Sequence, residues 1–475
     1  MKWTGTLLAA TLSLLLSACM LGPDFKKPPM ELPAKHRIML SGEQGAALAD
    51  IGWFELFPDP LLQELIGAAL RENLELRVAL GRVLESRQRA RLAGAGPYPD
   101  IRGSLANSPS PGAGSDDTSF SLGVVFGWEL DFFGKLRRAV EAADAEALAT
   151  EEAARAVMVS LVADVASAYF RIRELDRRAA IVERTIRSQR ESLELVRRLK
   201  ASGVVSAAEE NQALSLLASS RARLPVLRRA RIQAGNALAL LLGLAPQQRV
   251  PVDASMTAPA LPTFRVDLPT ELLADRPDVR AAQRRLHAAT ARVGVAIANR
   301  FPVPIIGLSG FAGTFSTSLD DLVGDATDVF SWGPTLSVPL LDFGRAGAGV
   351  GIADAQLVQA SERYRAAVLG ALREVADALA GLQATDEIIR HNDTRADAAG
   401  MVLKLQRMRF KQGVVAYLEV LDAERQLLSA ELALAEAEFG RVQRFIELYR
   451  ALGGGADEER LAATLAAVRA AGSRE

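Results

Sequence analysis

An internal repeat is the feature that most constrains the fold of this 475-residue chain. When the sequence is shifted by 210 positions, two long stretches align without a gap. Phe133-Gly134 falls on Phe343-Gly344, and Gly203-Val204-Val205 falls on Gly413-Val414-Val415. An offset of 203 extends the match upstream, where Pro99 meets Pro302. A constant offset over separated matches indicates a duplicated unit of domain size.

Each half has the same predicted order of elements: a helix, a break at proline, a β-hairpin and two long helices. The first helices are predicted at about 59–95 and 270–299, and the hairpins at about 101–131 and 304–340. We therefore divide the chain into five parts. These are a signal peptide at 1–18, an extended segment at 19–58, a first repeat at 59–262, a second repeat at 263–452 and a C-terminal equatorial segment at 453–475.

The second strand of each hairpin alternates apolar residues with small or polar ones. In the first copy the apolar positions are Phe120, Leu122, Val124, Phe126 and Trp128, and in the second they include Phe330, Trp332 and Leu336. A soluble β-sandwich has the same alternation. Thirteen residues tilted by about 45° span roughly 30 Å, however, which matches the core of a bilayer. We therefore predict that these side chains face lipid.

Four strands per chain determine how such a protein crosses a membrane. An open sheet cannot be exposed to lipid, because its edge groups have no hydrogen-bond partners there. Membrane barrels begin at about eight strands. The barrel must therefore be shared between chains, with eight strands in a dimer or twelve in a trimer.

Two very long helices follow each hairpin. Residues 137–200 contain no proline, and about sixty residues at 1.5 Å per residue reach roughly 90 Å. The same pattern recurs at 348–411, and each helix reverses at a glycine, Gly203 or Gly413. Pro225 is predicted to interrupt the first return helix. The pattern is typical of coiled-coil arms that stand off a membrane.

The N-terminus is an export signal. Lys2 precedes a short apolar run at 7–16, and Leu16-Ser17-Ala18-Cys19 resembles the bacterial lipobox, in which the cysteine receives acyl chains such as palmitate. Met20 follows, and by similarity to Gram-negative sorting rules this favours the outer membrane. The alternative is an ordinary signal peptide with an incidental cysteine. Cys19 is the only cysteine in the chain.

Composition argues against several other classes of protein. A net charge of -1 gives no reason to expect nucleic-acid binding. With one cysteine and three histidines, a metal site or a hydrolase centre is not expected, and no catalytic motif or phosphate loop is present. We therefore predict no enzyme activity, no metal and no cofactor. A structural coiled-coil envelope lipoprotein remains an alternative, against which the alternating strands argue.

Several motifs together resemble the TolC-like outer-membrane factors, in particular their NodT-type lipoprotein branch. They are Gly22-Pro23-Asp24-Phe25 after Cys19, Trp53 with Phe57-Pro58-Asp59-Pro60, Trp128-Glu129-Leu130-Asp131-Phe132-Phe133-Gly134, Leu240-Leu241-Leu242-Gly243, Asp275-Arg276-Pro277-Asp278, Pro339-Leu340-Leu341-Asp342-Phe343-Gly344-Arg345 and Ala451-Leu452-Gly453-Gly454-Gly455. The order and spacing of these motifs cover nearly the whole mature chain. Asp275-Arg276-Pro277-Asp278 is also accounted for by a helix cap with proline near the first position.

The resemblance implies an α+β membrane protein that forms a homotrimer. Twelve strands, four from each chain, would form one outer-membrane barrel, and the long helices would form a periplasmic α-helical barrel. The implied function is the exit channel of a tripartite multidrug-efflux system, with a periplasmic membrane-fusion adaptor and an inner-membrane RND-type pump as partners. An exit duct for type I-like protein secretion is the alternative, since fold does not determine cargo.

The resemblance also suggests where the periplasmic gate lies. Glu419 and Asp422 match positions where the family places acidic rings, and Glu209 matches the corresponding position of the first hairpin. Acids in the first turn of a helix are also favoured by its dipole, which is the simpler explanation. The Tyr and Arg that lock the entrance in familiar members are matched here by Phe410 and Val415, so a lock of that form is not expected, and a hydrophobic constriction at these two residues is the hypothesis for part of the gate. Adaptor contacts are expected at Gly203, Val204, Val205, Gly413 and Val414.

Overall fold

The computed structural model describes residues 20–30, 48, 52–109, 118–248, 252, 276–300, 304–338 and 341–454. The chain divides into two compact units. The first, the sheet unit, contains residues 1–30, 82–151 and 281–367. The second, the tip unit, contains residues 31–81, 152–280 and 368–475.

Helices account for most of the described chain. A short helix, α1, covers Trp53–Leu56, and two further helices precede the first hairpin: α2 at Pro60–Glu72 and α3 at Leu74–Ala95. The first long pair is α4 at Lys135–Ala201 and α5 at Ala207–Leu241. Helix α6 covers Pro277–Ala298, and the second long pair is α7 at Arg345–Lys411 and α8 at Tyr417–Ala451.

The two long pairs have matching bounds. Helices α4 and α7 have 67 residues each, and α5 and α8 have 35 each. Each element of the second pair begins 210 residues after its counterpart, the same offset as in the sequence. A helix of 67 residues is about 100 Å long. The predictions of long helices at 137–200 and 348–411 are therefore confirmed to within three residues at each end.

Only α4, among the described helices, has a stretch long and apolar enough to cross a membrane. More than half of that stretch is buried inside the protein. Burial of this kind is typical of a core helix, so this stretch is weak evidence for a membrane span.

Four antiparallel strands form one sheet in the sheet unit, in the order β1-β2-β3-β4. Their bounds are Asp100–Pro109, Thr118–Leu130, Ile305–Ser316 and Thr327–Ser337, close to the predicted strands. The sequence prediction placed the end of the fourth strand at 340, but the strand ends at Ser337 and residues 339–340 lie outside the described part. β2 pairs with β3 and joins the two hairpins, which leaves β1 and β4 as the edges within the described chain.

The strand register places the predicted apolar residues on one face. Leu122 is opposite Leu105, and Gly310 is opposite both Phe126 and Trp332. Because side chains alternate between faces, every residue in register with these lies on the same side. The resulting apolar face carries Ile101, Leu105, Phe120, Leu122, Val124, Phe126, Trp128, Leu308, Ala312, Phe330, Trp332 and Leu336.

Two helix predictions are wrong. The helix predicted at 59–95 is broken at Asn73, which is buried and whose Oδ1 accepts from Leu76 N–H at 2.9 Å while its Nδ2 donates to Leu241 O at 2.9 Å. Asn73 therefore ends one helix and caps the next. Pro225 does not interrupt α5, which runs through it. Pro225 lies on the exposed side of the helix, where water can bond the carbonyl group that proline leaves free.

Arg276 gives the Asp275-Arg276-Pro277-Asp278 motif more than a capping role. Pro277 is the first residue of α6, as expected, and Asp275 lies outside the described residues. The buried Arg276 guanidinium donates to Ala451 O at 2.5 Å and pairs with Asp278 and Glu374, at 2.7 and 2.8 Å. It thus holds the C-terminal end of α8 against the start of α6 within the tip unit.

Candidate functional site

The two long hairpins reverse direction through the same local structure. Gly203 and Gly413 both have φ +74°. At the first tip Gly203 N–H donates to Lys200 O and Val204 N–H to Leu199 O, both at 2.9 Å. At the second tip, the equivalent two bonds from Gly413 and Val414 have the same lengths. This pattern is a Schellman motif, which requires a residue with positive φ and therefore favours glycine.

Exposed valines project from both tips. Val204 is 68% exposed and Val414 is 61% exposed, whereas Val205 packs against the helix core. The two tips thus present an exposed apolar side chain at equivalent positions.

Behind the tips, all four long helices share one core. Buried residues from α4, α5, α7 and α8 form a single cluster that includes Val182, Leu217, Leu403 and Leu428. Along α4 the buried positions Val182, Ile186, Gln189, Leu193 and Val196 have alternating spacings of four and three residues. This is the seam pattern of a coiled coil.

A polar layer interrupts this core, and the sequence predictions did not identify it. Gln189 and Glu424 occupy seam positions and are 2% and 3% exposed. Glu424 accepts from Arg407 at 2.7 Å and from Ser192 at 3.1 Å, and Arg407 also contacts Ser188. Among the described residues, neither amide atom of Gln189 and only one oxygen of Glu424 has a hydrogen-bond partner. Such buried unpaired groups reduce stability, because they give up hydrogen bonds to water on folding.

The acids of the first tip are engaged in local interactions. Glu209 Oε2 accepts from Ser206 N–H at 2.7 Å, and Glu209 N–H donates to Ser206 Oγ at 3.4 Å. Together these bonds form a capping box at the start of α5. Glu210 pairs with Lys200 at 2.6 Å and with Arg197 at 3.1 Å, and these two bonds lower the pKa of the Glu210 carboxyl.

The acids of the second tip differ from each other. Asp422 accepts from Arg425 and Gln426, both at 2.5 Å, and these bonds lower the pKa of its carboxyl. Glu419 is exposed, and its carboxylate has no hydrogen bond or ion pair within the described part of the chain. Ala416, which precedes α8, provides no side-chain cap. Among the three predicted gate acids, Glu419 alone has a carboxylate with neither a hydrogen bond nor an ion pair in the described part of the chain.

The two predicted lock positions are both partly buried. Phe410 packs against Tyr417, with ring centroids 5.1 Å apart, and contacts the helix core. Tyr417 is buried, which raises the pKa of its hydroxyl to about 12. Val415 is half-buried. Phe410 thus stabilises the base of its own hairpin in the single chain.

In the sheet unit, the predicted lipid-facing residues share one face, and many are exposed in the single chain. Phe330, Trp332 and Leu336 are the most exposed, and Trp332 is 70% exposed. An exposed apolar face of this size is unusual on a soluble monomer. Cys19, the predicted lipidation site, lies outside the described residues. No group of His, Cys, Asp or Glu arranged to hold a metal occurs in the described ranges.

Comparison with known proteins assigns the family. The sequence profile described as "Outer membrane efflux protein" matches residues 65–244 and 268–454, which is well over half of the chain. These residues include both pairs of long helices and both tips. The class is thus that of outer-membrane efflux components, and this chain belongs to the outer membrane efflux protein family.

Individual relatives match along almost their whole length. The Cation efflux system protein CusC of Escherichia coli is 34% identical over 457 residues, covering 94% of this chain and 98% of CusC. The Toluene efflux pump outer membrane protein TtgI of Pseudomonas putida is also 34% identical, covering 93% of this chain and 96% of TtgI. The open state of the MtrE outer membrane channel of Neisseria gonorrhoeae superposes with a TM-score of 0.82 at 31% identity, covering 92% and 99% of the two chains.

These matches confirm the predicted family and the outer-membrane location. The relatives are outer-membrane efflux channels rather than enzymes, and their solved structures share this mixture of helices and sheet.

Proposed function

We propose that this chain is the exit channel of a tripartite efflux system, in which three copies form one duct that conducts small molecules passively across the outer membrane. The observation that carries the proposal is the exposed apolar face of an open four-stranded sheet. Four strands cannot close in lipid, so additional copies must complete the barrel. Three copies give twelve strands, with the long helices continuing the duct into the periplasm.

The names of the relatives support small cargo without specifying it. CusC is named for cation efflux and TtgI for toluene efflux. We propose that the cargo here is also a small molecule such as a drug, delivered by an RND-type inner-membrane pump through a membrane-fusion adaptor. Exposed Val204 and Val414 at the tips are the surface we assign to the adaptor. We further propose that Cys19 is acylated and anchors the mature chain.

The repeat supports the proposed division of the chain into two similar halves, with the signal peptide before residue 19 and the C-terminal segment after residue 452. The matching bounds of α4 with α7, and of α5 with α8, are consistent with duplication of one ancestral unit.

At the entrance we propose that Glu419 forms an acidic ring, with one carboxylate from each copy. Its charge is uncompensated in the single chain, so a ring of three would attract cations and bind divalent ions. Asp422 contributes less because Arg425 already neutralises it. Glu209 is assigned to helix capping, and Phe410 and Val415 to packing at the base of the second tip.

Planar-bilayer recording tests both the channel and the gate. Wild-type protein is expected to form an oligomer that resists SDS and to conduct with cation selectivity and block by divalent ions. Glu419→Gln is expected to lose most of the selectivity and the block, and Glu419→Ala with Asp422→Ala to lose little more.

Glu209→Gln is the matched control, because it keeps the side-chain length and affects only the cap. It should retain wild-type selectivity. A wild-type protein without conductance would disprove the channel proposal, whereas unchanged selectivity in Glu419→Gln would disprove only the acidic ring.

A further inference from the structure

The segment Met20–Phe25, called the strap here, is fixed to the sheet unit by several different contacts. Leu21 N–H donates to Phe133 O at 3.1 Å. Met20 lies so close to Gly134 that a β-carbon added at Gly134 would be 2.9 Å from Met20 Cα. Phe25 stacks on His287 with ring centroids 4.7 Å apart. A short segment just after a signal peptide would be expected to be poorly ordered unless such contacts held it.

A pair of glycines brings the strap backbone against α6. Gly22 has φ +94°, a conformation that favours glycine, and a β-carbon there would overlap the backbone of Gly294. On the other side, a β-carbon at Gly294 would be 2.8 Å from Leu21 O. The two backbones are therefore in direct contact, and neither glycine can be enlarged without displacing the strap.

Arg138 joins the strap to α4. It is 2% exposed, and its guanidinium donates to Leu21 O at 3.3 Å, to Gly22 O at 3.4 Å and to Asp24 at 2.7 Å. It also pairs with Glu141 at 2.8 Å, and Glu141 in turn bonds His287 Nε2 at 2.8 Å. One buried cation thus satisfies two backbone carbonyls of the strap and connects to the histidine under Phe25. A buried arginine is tolerated only when it is paired in this way.

We propose that the strap is a fixed link between the membrane anchor and the folded protein, with Arg138 as its positioning residue. The proposal rests on the acylation of Cys19 proposed above. Cys19 is joined to Met20 by one peptide bond, and consecutive Cα atoms are about 3.8 Å apart. With Met20 docked, no flexible spacer separates the acyl chains from the sheet unit. The lipid then restrains the orientation of the subunit rather than acting as a loose tether.

Protease susceptibility in outer-membrane preparations tests the docking. We expect trypsin to cut between the exposed Lys26 and Lys27 faster when the adjoining strap detaches and adopts an extended conformation. Arg138→Met removes every hydrogen bond from the guanidinium, and Gly22→Val pushes the strap off Gly294 without altering α4. Both variants are expected to be cleaved at this bond on the order of tenfold faster than wild type, since cleavage follows the open population.

Arg292→Met is the matched control, because Arg292 pairs with Glu146 at 2.8 Å on the exposed side of the same two helices. Its cleavage rate should equal that of wild type. A spin label at Lys27→Cys should be immobilised in an otherwise wild-type chain and mobile with Gly22→Val. Wild-type cleavage rates in both Arg138→Met and Gly22→Val would overturn the proposal.

Incorporation of labelled palmitate distinguishes acylation of Cys19 from docking of the strap. Label in the wild type and in all variants, together with faster cleavage in Arg138→Met and Gly22→Val, supports a docked anchor. An unlabelled wild type would overturn both the acylation of Cys19 and the anchoring role of the strap. The cleavage rates in that protein would still report whether the strap is docked.

Discussion

Glycine at the two hairpin tips allows a turn that other residues adopt only with strain. Gly203 and Gly413 share φ +74° and the same pair of hydrogen bonds to the preceding helix. Apart from the glycine itself and its two chain neighbours, no atom lies within 4 Å of the position a β-carbon would occupy at either glycine, so the backbone conformation alone restricts the choice of residue.

Alanine at either tip is therefore expected to destabilise the protein. Gly203→Ala or Gly413→Ala should cost about 1–2 kcal/mol, the usual cost of a left-handed conformation with a β-carbon. Gly235→Ala is the control, because Gly235 lies inside α5 with open space around it and should gain about 1 kcal/mol. Thermal unfolding midpoints in detergent measure both effects. Equal shifts in the three variants would contradict this account.

Burial of Tyr417 makes the tip unit sensitive to alkali. Its folded pKa is about 12, raised by burial and by the nearby Glu424, whereas an unfolded tyrosine ionises near pH 10. The stability that depends on this neutral hydroxyl is complete below pH 10 and is lost as the pH rises towards 12. Tyr417→Phe should lose less stability than wild type between pH 8 and pH 11.5 in thermal unfolding. An identical alkaline loss in the variant would refute the prediction.

At the scale of elements, the polar layer in the four-helix core is a local weakness. Gln189 occupies a seam position between Ile186 and Leu193, and its amide has no partner among the described residues. Buried polar groups at seam positions set the register of coiled coils at a cost in stability. Here the layer lies where α4, from the first pair of long helices, meets α7 and α8, from the second pair.

Gln189→Leu is expected to raise stability by about 1–3 kcal/mol, because it removes an unsatisfied buried amide. Gln412→Leu, on the exposed surface of the second tip, should have an effect near zero. Chemical or thermal unfolding compares the two. A loss of stability in Gln189→Leu would show that ordered water or another copy satisfies the amide.

The sequence predicts the elements well where local rules decide them. Helical periodicity and the glycines at the tips determine the bounds of α4 and α7, and two-residue alternation predicts the second strand of each hairpin, β2 and β4. The capping box of Ser206 and Glu209 was not predicted, although Ser-x-x-Glu is its local signature. The break at Asn73 was not predicted either, because it depends on a carbonyl 168 residues away at Leu241.

The candidate site was predictable only in part, because it too depends on contacts between residues that are far apart in the sequence. The sequence located the acids at the tips, but whether each charge is free depends on rotamers and neighbours, such as Arg425 beside Asp422. The contact of Arg138 with Asp24, 114 residues apart, has no local signal. The polar layer likewise combines Ser188, Arg407 and Glu424 from three different helices.

At the scale of the whole molecule, the two faces of the sheet are chemically distinct. On β4, Trp332 lies on the apolar face near the middle of the strand, and Ser331 lies on the opposite face. If the apolar face contacts lipid, a charge at Trp332 is placed near the centre of the bilayer.

Trp332→Lys is therefore expected to reduce folding stability in lipid by about 2–4 kcal/mol, as charges do at the bilayer midplane. Ser331→Lys introduces the same charge one residue away, on the inward face, and should have little effect. Yield of the SDS-resistant oligomer after refolding into liposomes measures the difference. Similar losses in both variants would contradict the assignment of the faces.

The sheet also has two open edges, β1 and β4, within the described chain. A subunit that reaches the membrane alone presents unpaired hydrogen-bonding groups, and such edges promote aggregation. If several copies share one barrel, as proposed above, the number of finished ducts should rise more steeply than the number of subunits made. We then expect that a modest change in the expression of this chain shifts the balance between assembly and degradation.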